Sequence, residues 1–162
     1  MAKAKRAVPE GFHTVTPTLT HDDCAAAIDW YKKALGAVEV ARSPGPDGKL
    51  MHAEIRVGDS PVMMSDNVMG GKGGPKGFGG SPAGLWLYVD DCDAIFNRAV
   101  GAGAEVVMPI ADQFWGDRFG AFNDPFGYRW SVATRKEDLT PQEIEQRQAA
   151  FFREIAAKGG RS

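Results

Sequence analysis

The sequence predicts an α+β fold: two copies of a strand–helix–strand–strand–strand (βαβββ) module, then a C-terminal helix. Three observations carry this. The stretch HDDCAAAIDWYKKALGAVEV from His21 returns as VDDCDAIFNRAVGAGAEVV from Val89; Asp22-Asp23-Cys24 matches Asp90-Asp91-Cys92 at a shift of 68, and Gly36-Ala37 matches Gly103-Ala104 at a shift of 67. Strand-like runs flank both copies at corresponding places, and turn signals separate them. Between the copies lies a glycine-rich stretch, in which seven of the eleven residues from Gly70 to Gly80 are glycine. The organisation that follows is a flexible tail over 1–11, a first module over 12–68, a linker over 69–81, a second module over 82–135 and a helical segment over 136–162.

The first module opens with a strand-like run from His13 to Thr20. An aspartate cap at Asp23 starts a helix that Gly36 ends. Ala27, Ile28, Tyr31 and Leu35 fall on one face of it at helical spacing. Strands follow from Val38 to Ser43, Leu50 to Val57 and Pro61 to Ser65, broken by Pro44-Gly45-Pro46-Asp47-Gly48 and Gly58-Asp59. The second module repeats the order. A strand from Leu85 to Val89 leads into a helix whose expected apolar face is Ala94, Ile95, Ala99 and Val100. Strands then run from Glu105 to Ile110, Arg118 to Asn123 and Arg129 to Thr134, with turns at Gly116-Asp117 and Asp124-Pro125-Phe126-Gly127. In the last segment Thr140 caps a helix, Pro141 takes its first position and Glu143 completes a capping box. Ile144, Phe151, Phe152 and Ile155 give that helix an apolar face, suited to packing on the domain or on a second subunit.

Composition excludes several classes of function. The chain has 162 residues, 43% of them apolar, enough for a real core, and a net charge of −2, so no basic field favours nucleic acid. The Lys3, Lys5 and Arg6 cluster is followed by no apolar run, so it reads as a solvated tail and not as a secretory signal, and nothing approaches membrane-spanning length. Cys24 and Cys92 lack metal-site spacing and read as buried thiols in a reducing cytoplasm. The glycine-rich stretch does not match a phosphate loop. Gly73 follows Gly71-Lys72 where a hydroxyl is required, Asp66 stands where the first glycine should, and no helix follows. It reads as a connector, placed to act as a flap over any cleft between the modules.

A duplicated βαβββ frame carrying Asp23 through Trp30-Tyr31 to Leu35-Gly36, then Asp91 and Asp124-Pro125-Phe126-Gly127, resembles the vicinal-oxygen-chelate superfamily of glyoxalases, bleomycin-resistance proteins and extradiol dioxygenases. His52 to Asp66 and Asp112 to Thr134 look like its PhnB-like branch. The resemblance covers roughly residues 12 to 150 and implies modules that curl into glyoxalase-like half-barrels around a cup. It also implies, in the family's enzymes, a divalent metal held from the first and last strand of each module, which polarises vicinal oxygens of the substrate. The family's ligand positions fall near Thr16, at Met64 or Ser65, near Leu85 and at Ser131. None of these is a good ligand for a divalent ion, and a slip of one residue does not restore the set. The expectation is therefore no metal site and no cofactor, with a divalent metal as the alternative.

Two functions remain. One is a metal-free cup that binds a small, largely apolar or aromatic molecule, as bleomycin-resistance-type relatives do. The other is an enzyme: either it recruits a metal through residues such as His52 and Glu54 for lyase, isomerase or dioxygenase-type chemistry, or it uses Glu54 as a metal-free general base. His52 and Glu54 lie two apart on one strand and share a face. The densest aromatic patch runs from Phe114 to Phe122. From it and from the neighbouring strand, Trp115, Arg118, Phe122 and Trp86 are the expected ligand-binding residues, with Met64 lining the same pocket. The competing expectation is that Asp117 and Arg118 form a turn-stabilising ion pair while Trp115 plugs the end of the barrel. The partners expected are a small molecule and a second copy of the chain, not nucleic acid or membrane. The modules pair either within one chain or across two.

Overall fold

The computed structural model describes residues 4–159. Lys3 of the basic tail and the last three residues of the C-terminal segment therefore lie outside the described residues. The element order is β1 (Thr18–His21), α1 (Cys24–Leu35), β2 (Val38–Pro44), β3 (Leu50–Val57), β4 (Ser60–Asp66), β5 (Gly84–Tyr88), α2 (Cys92–Gly101), β6 (Glu105–Asp112), β7 (Asp117–Asn123), β8 (Arg129–Arg135) and α3 (Pro141–Gly159). The strands form two four-stranded sheets, ordered β1-β4-β3-β2 and β5-β8-β7-β6. The topologies match strand for strand: β1 runs parallel to β4 and β5 parallel to β8.

The helix ends follow local chemistry. Asp23 caps α1 by accepting from Ala26 N at 2.9 Å, and Asp91 caps α2 by accepting from Ala94 N at 2.9 Å. Gly36 ends α1 in the left-handed region at φ 68°, which a residue without Cβ enters at no steric cost. At α3, Thr140 and Glu143 form a reciprocal capping box, with backbone-to-side-chain bonds of 2.8 and 3.3 Å.

Two sequence expectations shift. The first strand starts at Thr18 and not His13, because Pro17 has no N–H for the ladder and contributes only its carbonyl, which accepts from Met63 N at 2.9 Å. On α2 the buried face is Cys92, Phe96 and Ala99, with Ile95 beside them, while Ala94 and Val100 face outward. The face is turned because the ring of Phe96 seats against Gly120 of β7, where a Cβ would lie 2.9 Å from Phe96 Cε2.

One hydrophobic core spans both modules. α1 buries Ala27, Ile28, Tyr31 and Leu35 against Leu19, Ala53, Ile55 and Met64. α2 covers Phe122, Trp130 and Val132 of the second sheet. α1 also packs on α2, so the modules meet through their helices, and among the described residues no strand of one sheet pairs with a strand of the other. The seam is polar as well as apolar. Trp30 Nε1 donates to the carbonyl of Ala102 at 2.8 Å, Tyr31 Oη donates to Asp124 at 2.7 Å, and Tyr128 Oη bonds both backbone groups of Thr20, at 3.0 and 2.9 Å. The glycine-rich stretch makes a 3₁₀ turn at Pro75–Phe78. It packs closely: a Cβ on Gly77 would lie 1.6 Å from Lys72 O, and one on Gly74 would lie 2.8 Å from Thr20 O.

Candidate functional site

Each sheet has one face covered by its helix and one face open. Alternation along a strand decides which side chains stand on the open face. In the second sheet these are Trp86 and Tyr88 of β5, Ser131 and Ala133 of β8, and Asp117, Phe119 and Ala121 of β7, as the registers Trp86–Ser131, Tyr88–Ala133, Phe119–Ala133 and Ala121–Ser131 require. Trp86 stacks on Phe119 with ring centroids 4.7 Å apart and planes inclined by 19°. Trp115, carried on the turn between β6 and β7, meets Phe119 edge-on at 5.8 Å. Gly116 makes that turn tight: its φ is 93°, and a Cβ would lie 2.9 Å from Glu137 O. Phe119, Ala121, Ala133 and Trp115 form a small cluster of their own, separate from the main core.

The floor of this aromatic face is acidic. Asp117 is buried, and its Oδ2 accepts from Tyr88 Oη at 2.9 Å and from Trp115 Nε1 at 3.1 Å. The bond to that carboxylate holds the Tyr88 phenol above its usual pKa, with burial adding to the effect. Trp86 nonetheless keeps 47% of its surface exposed and Tyr88 keeps 62%, which leaves large ring surface open to water.

The first sheet's open face is polar. The registers put Thr18, Met63 and Glu54 in one row, with Thr20, Ser65 and His52 beside it. His52 and Glu54 are half-buried, and among the described residues neither side chain makes a hydrogen bond or ion pair. The glycine-rich loop borders one end of this face, where it encloses a cleft of about 380 Å³ with Thr20 and Ser65. A further cleft of about 290 Å³, lined by Pro17, Val57, Pro61, Leu85, Trp86 and Trp130, runs between the modules.

Of the residues singled out from sequence, Trp86 and Trp115 come together on the second open face. His52 and Glu54 share the other sheet's open face. The remaining three point the opposite way. Met64 and Phe122 are fully buried on helix-facing sides, Phe122 among the rings of Trp30 and Phe96. Arg118 turns towards α2, bound by Asp93 at 2.5 and 2.7 Å and by Asp112 at 3.2 Å. An ion pair between Asp117 and Arg118 does not form, because consecutive strand residues face opposite sides of the sheet. Tyr88, Phe119 and Asp117 complete the aromatic face, and the signal for them was the same two-residue alternation, read outward from Trp86 and Ala121.

The side chains at the family's ligand positions are poor partners for a divalent ion. Leu85 and Met64 face the core, so the open-face neighbours are Trp86 and either Met63 or Ser65, with Ser131 across from Trp86. None supplies an imidazole, a carboxylate or a thiolate, and among the described residues no group of three or more His, Cys, Asp or Glu lies together. The chain's own residues do not fit the metal site of the family's enzymes.

Two buried polar groups, Asp124 and His21, lie at the seam, and a third, Asp66, ties elements within the first module. Asp124 accepts from Tyr31 Oη, from Trp130 Nε1 at 2.8 Å and from the backbone N–H groups of Phe126 and Tyr128 at 2.9 Å. Burial raises its pKa despite those donors, which pull the other way. Asp66 accepts from Cys24 N at 2.7 Å and Leu50 N at 2.6 Å. His21, 1% exposed, has among the described residues no partner for either ring nitrogen and lies edge-on to Tyr31, Phe126 and Tyr128 at 5.2 to 5.8 Å. Burial pushes its pKa down to about 4, against the opposing pull of Asp66, Asp22 and Asp23. Cys24 and Cys92 are both free and buried, and among the described residues no helix is long and apolar enough to cross a membrane.

Comparison with known proteins gives a consistent result. The model of the Glyoxalase/Bleomycin resistance protein/Dioxygenase superfamily matches residues 11–132. An uncharacterized protein of Mycobacterium tuberculosis, Rv0887c, is 47% identical over 135 residues, covering 81% of this chain and 79% of that one. The crystal structure of PA1353 from Pseudomonas aeruginosa superposes with a TM-score of 0.61 at 30% identity, over 77% of this chain and 99% of that one. The PhnB protein from Bacillus cereus shares the fold with a TM-score of 0.63 at 17% identity, over 75% of this chain and 99% of its own.

Proposed function

Because this chain belongs to the Glyoxalase/Bleomycin resistance protein/Dioxygenase superfamily, we propose that it binds a small, largely apolar or aromatic molecule, without a metal, in a cup walled by the open face of its second sheet. One observation carries the reading: Trp86 stands nearly half exposed and Tyr88 more than half, on a face already paved by Phe119 and Trp115. A flat ring laid against Trp86 removes that apolar surface from water, which favours binding by about 25 cal/mol per Å² covered. The modules of one chain meet through their helices, so the wall facing this cup comes from a second copy. That supports a homodimer in which the aromatic face of one chain opposes the polar face of the other, bringing His52 and Glu54 to the ligand.

A thermal-shift screen of aromatic compounds, run with and without added divalent ions, tests the proposal. The expected result is stabilisation by at least one flat aromatic compound, independent of the ions and lost in Trp86→Ala. Stabilisation that needs a divalent ion, together with near-stoichiometric metal in protein purified without chelator, would favour the enzyme instead.

A further inference from the structure

The carboxylate under the aromatic face bears on what the ligand must carry. Asp117 is 3% exposed, yet among the described residues no cation forms an ion pair with it. Burying a carboxylate is costly unless it is paired. Its two donors, Tyr88 Oη and Trp115 Nε1, are neutral, and both go to the same oxygen, Oδ2. The two arginines that could have served it are engaged elsewhere. Arg135 lies directly across on β8, with its charge close enough to be felt at Tyr88, but its Nε donates to Asp138 at 2.8 Å. Arg118, next in sequence, points through to the other side and is held by Asp93 and Asp112. Around the acid stand three rings: Tyr88, Trp115, and Trp86, whose centroid is 6.0 Å from that of Tyr88. Aromatic faces attract cations through their quadrupole, and a desolvated carboxylate beneath them attracts the same charge.

We infer that this face is a cation-selecting aromatic cage: the ligand bears a protonated amine or quaternary ammonium group beside its ring, and that group sits over Tyr88, Trp115 and Trp86 with Asp117 as its counter-charge. The inference rests on the binding reading above and narrows it to one ligand class. It also accounts for the placement of the acid. In a cage meant only for neutral rings, an unpaired carboxylate at this depth would weaken binding and folding alike.

Three probes that share one ring and differ in charge decide the matter: (2-naphthylmethyl)trimethylammonium, 2-naphthalenemethanol and 2-naphthaleneacetate, titrated into the full chain by calorimetry. The expected order is ammonium tightest, by at least tenfold over the alcohol, and acetate weakest. Asp117→Asn abolishes the preference for the ammonium over the alcohol, while Trp86→Ala weakens both. If Asp117→Asn does not fold, the charge order on the native chain decides alone. Equal binding of ammonium and alcohol, tighter binding of the acetate, or an ammonium preference unaltered in folded Asp117→Asn overturns the cation inference and leaves the aromatic cup standing. No binding of any of the three, with the aromatic screen also empty, overturns both.

Discussion

His21 shows how one residue sets a property of the whole chain. Its imidazole is neutral in the folded state because burial pushes the pKa from 6.5 down to about 4. The unfolded chain therefore binds a proton between those two values and the folded chain does not. Stability is complete above pH 6.5, falls as the pH drops towards about 4, and changes no further from this group below that. The loss across the window is about 3 kcal/mol at the usual conversion of pKa difference to free energy. Urea denaturation of wild type and His21→Phe at pH 7, 5.5 and 4 checks it. The phenylalanine variant, which leaves no orphaned nitrogen among three rings, gains on wild type as the pH falls; parallel behaviour would contradict the assignment. Asp124 makes the opposite kind of contribution. Its carboxyl gathers four donors from both modules, so Asp124→Ala is expected to cost about 3 kcal/mol or more in the same assay, because two buried and two half-buried donors lose their acceptor. A loss below 1 kcal/mol would show that the turn holds without it.

At the scale of elements, most boundaries were legible and the orientations less so. Asp23, Asp91 and Thr140 marked helix starts because capping is local chemistry that needs no tertiary context. The turned face of α2 was not legible. Ala94, Ile95, Ala99 and Val100 satisfy helical spacing as well as Cys92, Ile95, Phe96 and Ala99 do, and only the empty space over Gly120 decides for Phe96. Gly120→Ala tests that choice. Its Cβ would meet Phe96 Cε2 at 2.9 Å and the Ile110 backbone at 3.1 Å, so it should destabilise by about 1 to 3 kcal/mol. Phe96→Leu should relieve part of this in the double variant, and independent, additive losses would separate the two positions. α3 is the contrasting case, for it buries no residue and is tied to the body by the Phe114–Phe151 ring contact and the Arg147–Glu137 pair. Ending the chain after Leu139 should leave the melting temperature nearly unchanged; a large drop would mean that α3 supports the fold.

For the whole molecule, the duplication was readable because the two Asp-Asp-Cys copies and their glycines keep register through 67 to 68 residues. The side on which the modules meet was not, since helix-to-helix and sheet-to-sheet contact both satisfy the same alternating patterns. For that reason Met64, Phe122 and Arg118 read as cup residues but point elsewhere, whereas Trp86 and Trp115 stand on an open face. The family phrases Trp30-Tyr31 and Asp124-Pro125-Phe126-Gly127 turn out to build the seam between modules. The proposed dimer predicts a particle of twice the chain mass by light scattering at micromolar concentration, while a monomer at all concentrations would leave the aromatic face without its opposing wall.

The four tryptophans offer the most direct test of the central claim, that the open face of the second sheet receives the ligand. Trp30 and Trp130 pack in the main core, while Trp86 and Trp115 belong to the open face. With the indoles labelled with nitrogen-15 and the best-binding naphthalene probe added to saturation, the account predicts that the resonances of Trp86 and Trp115 shift while those of Trp30 and Trp130 stay in place. Shifts confined to Trp30 and Trp130, or none at saturation, would contradict it.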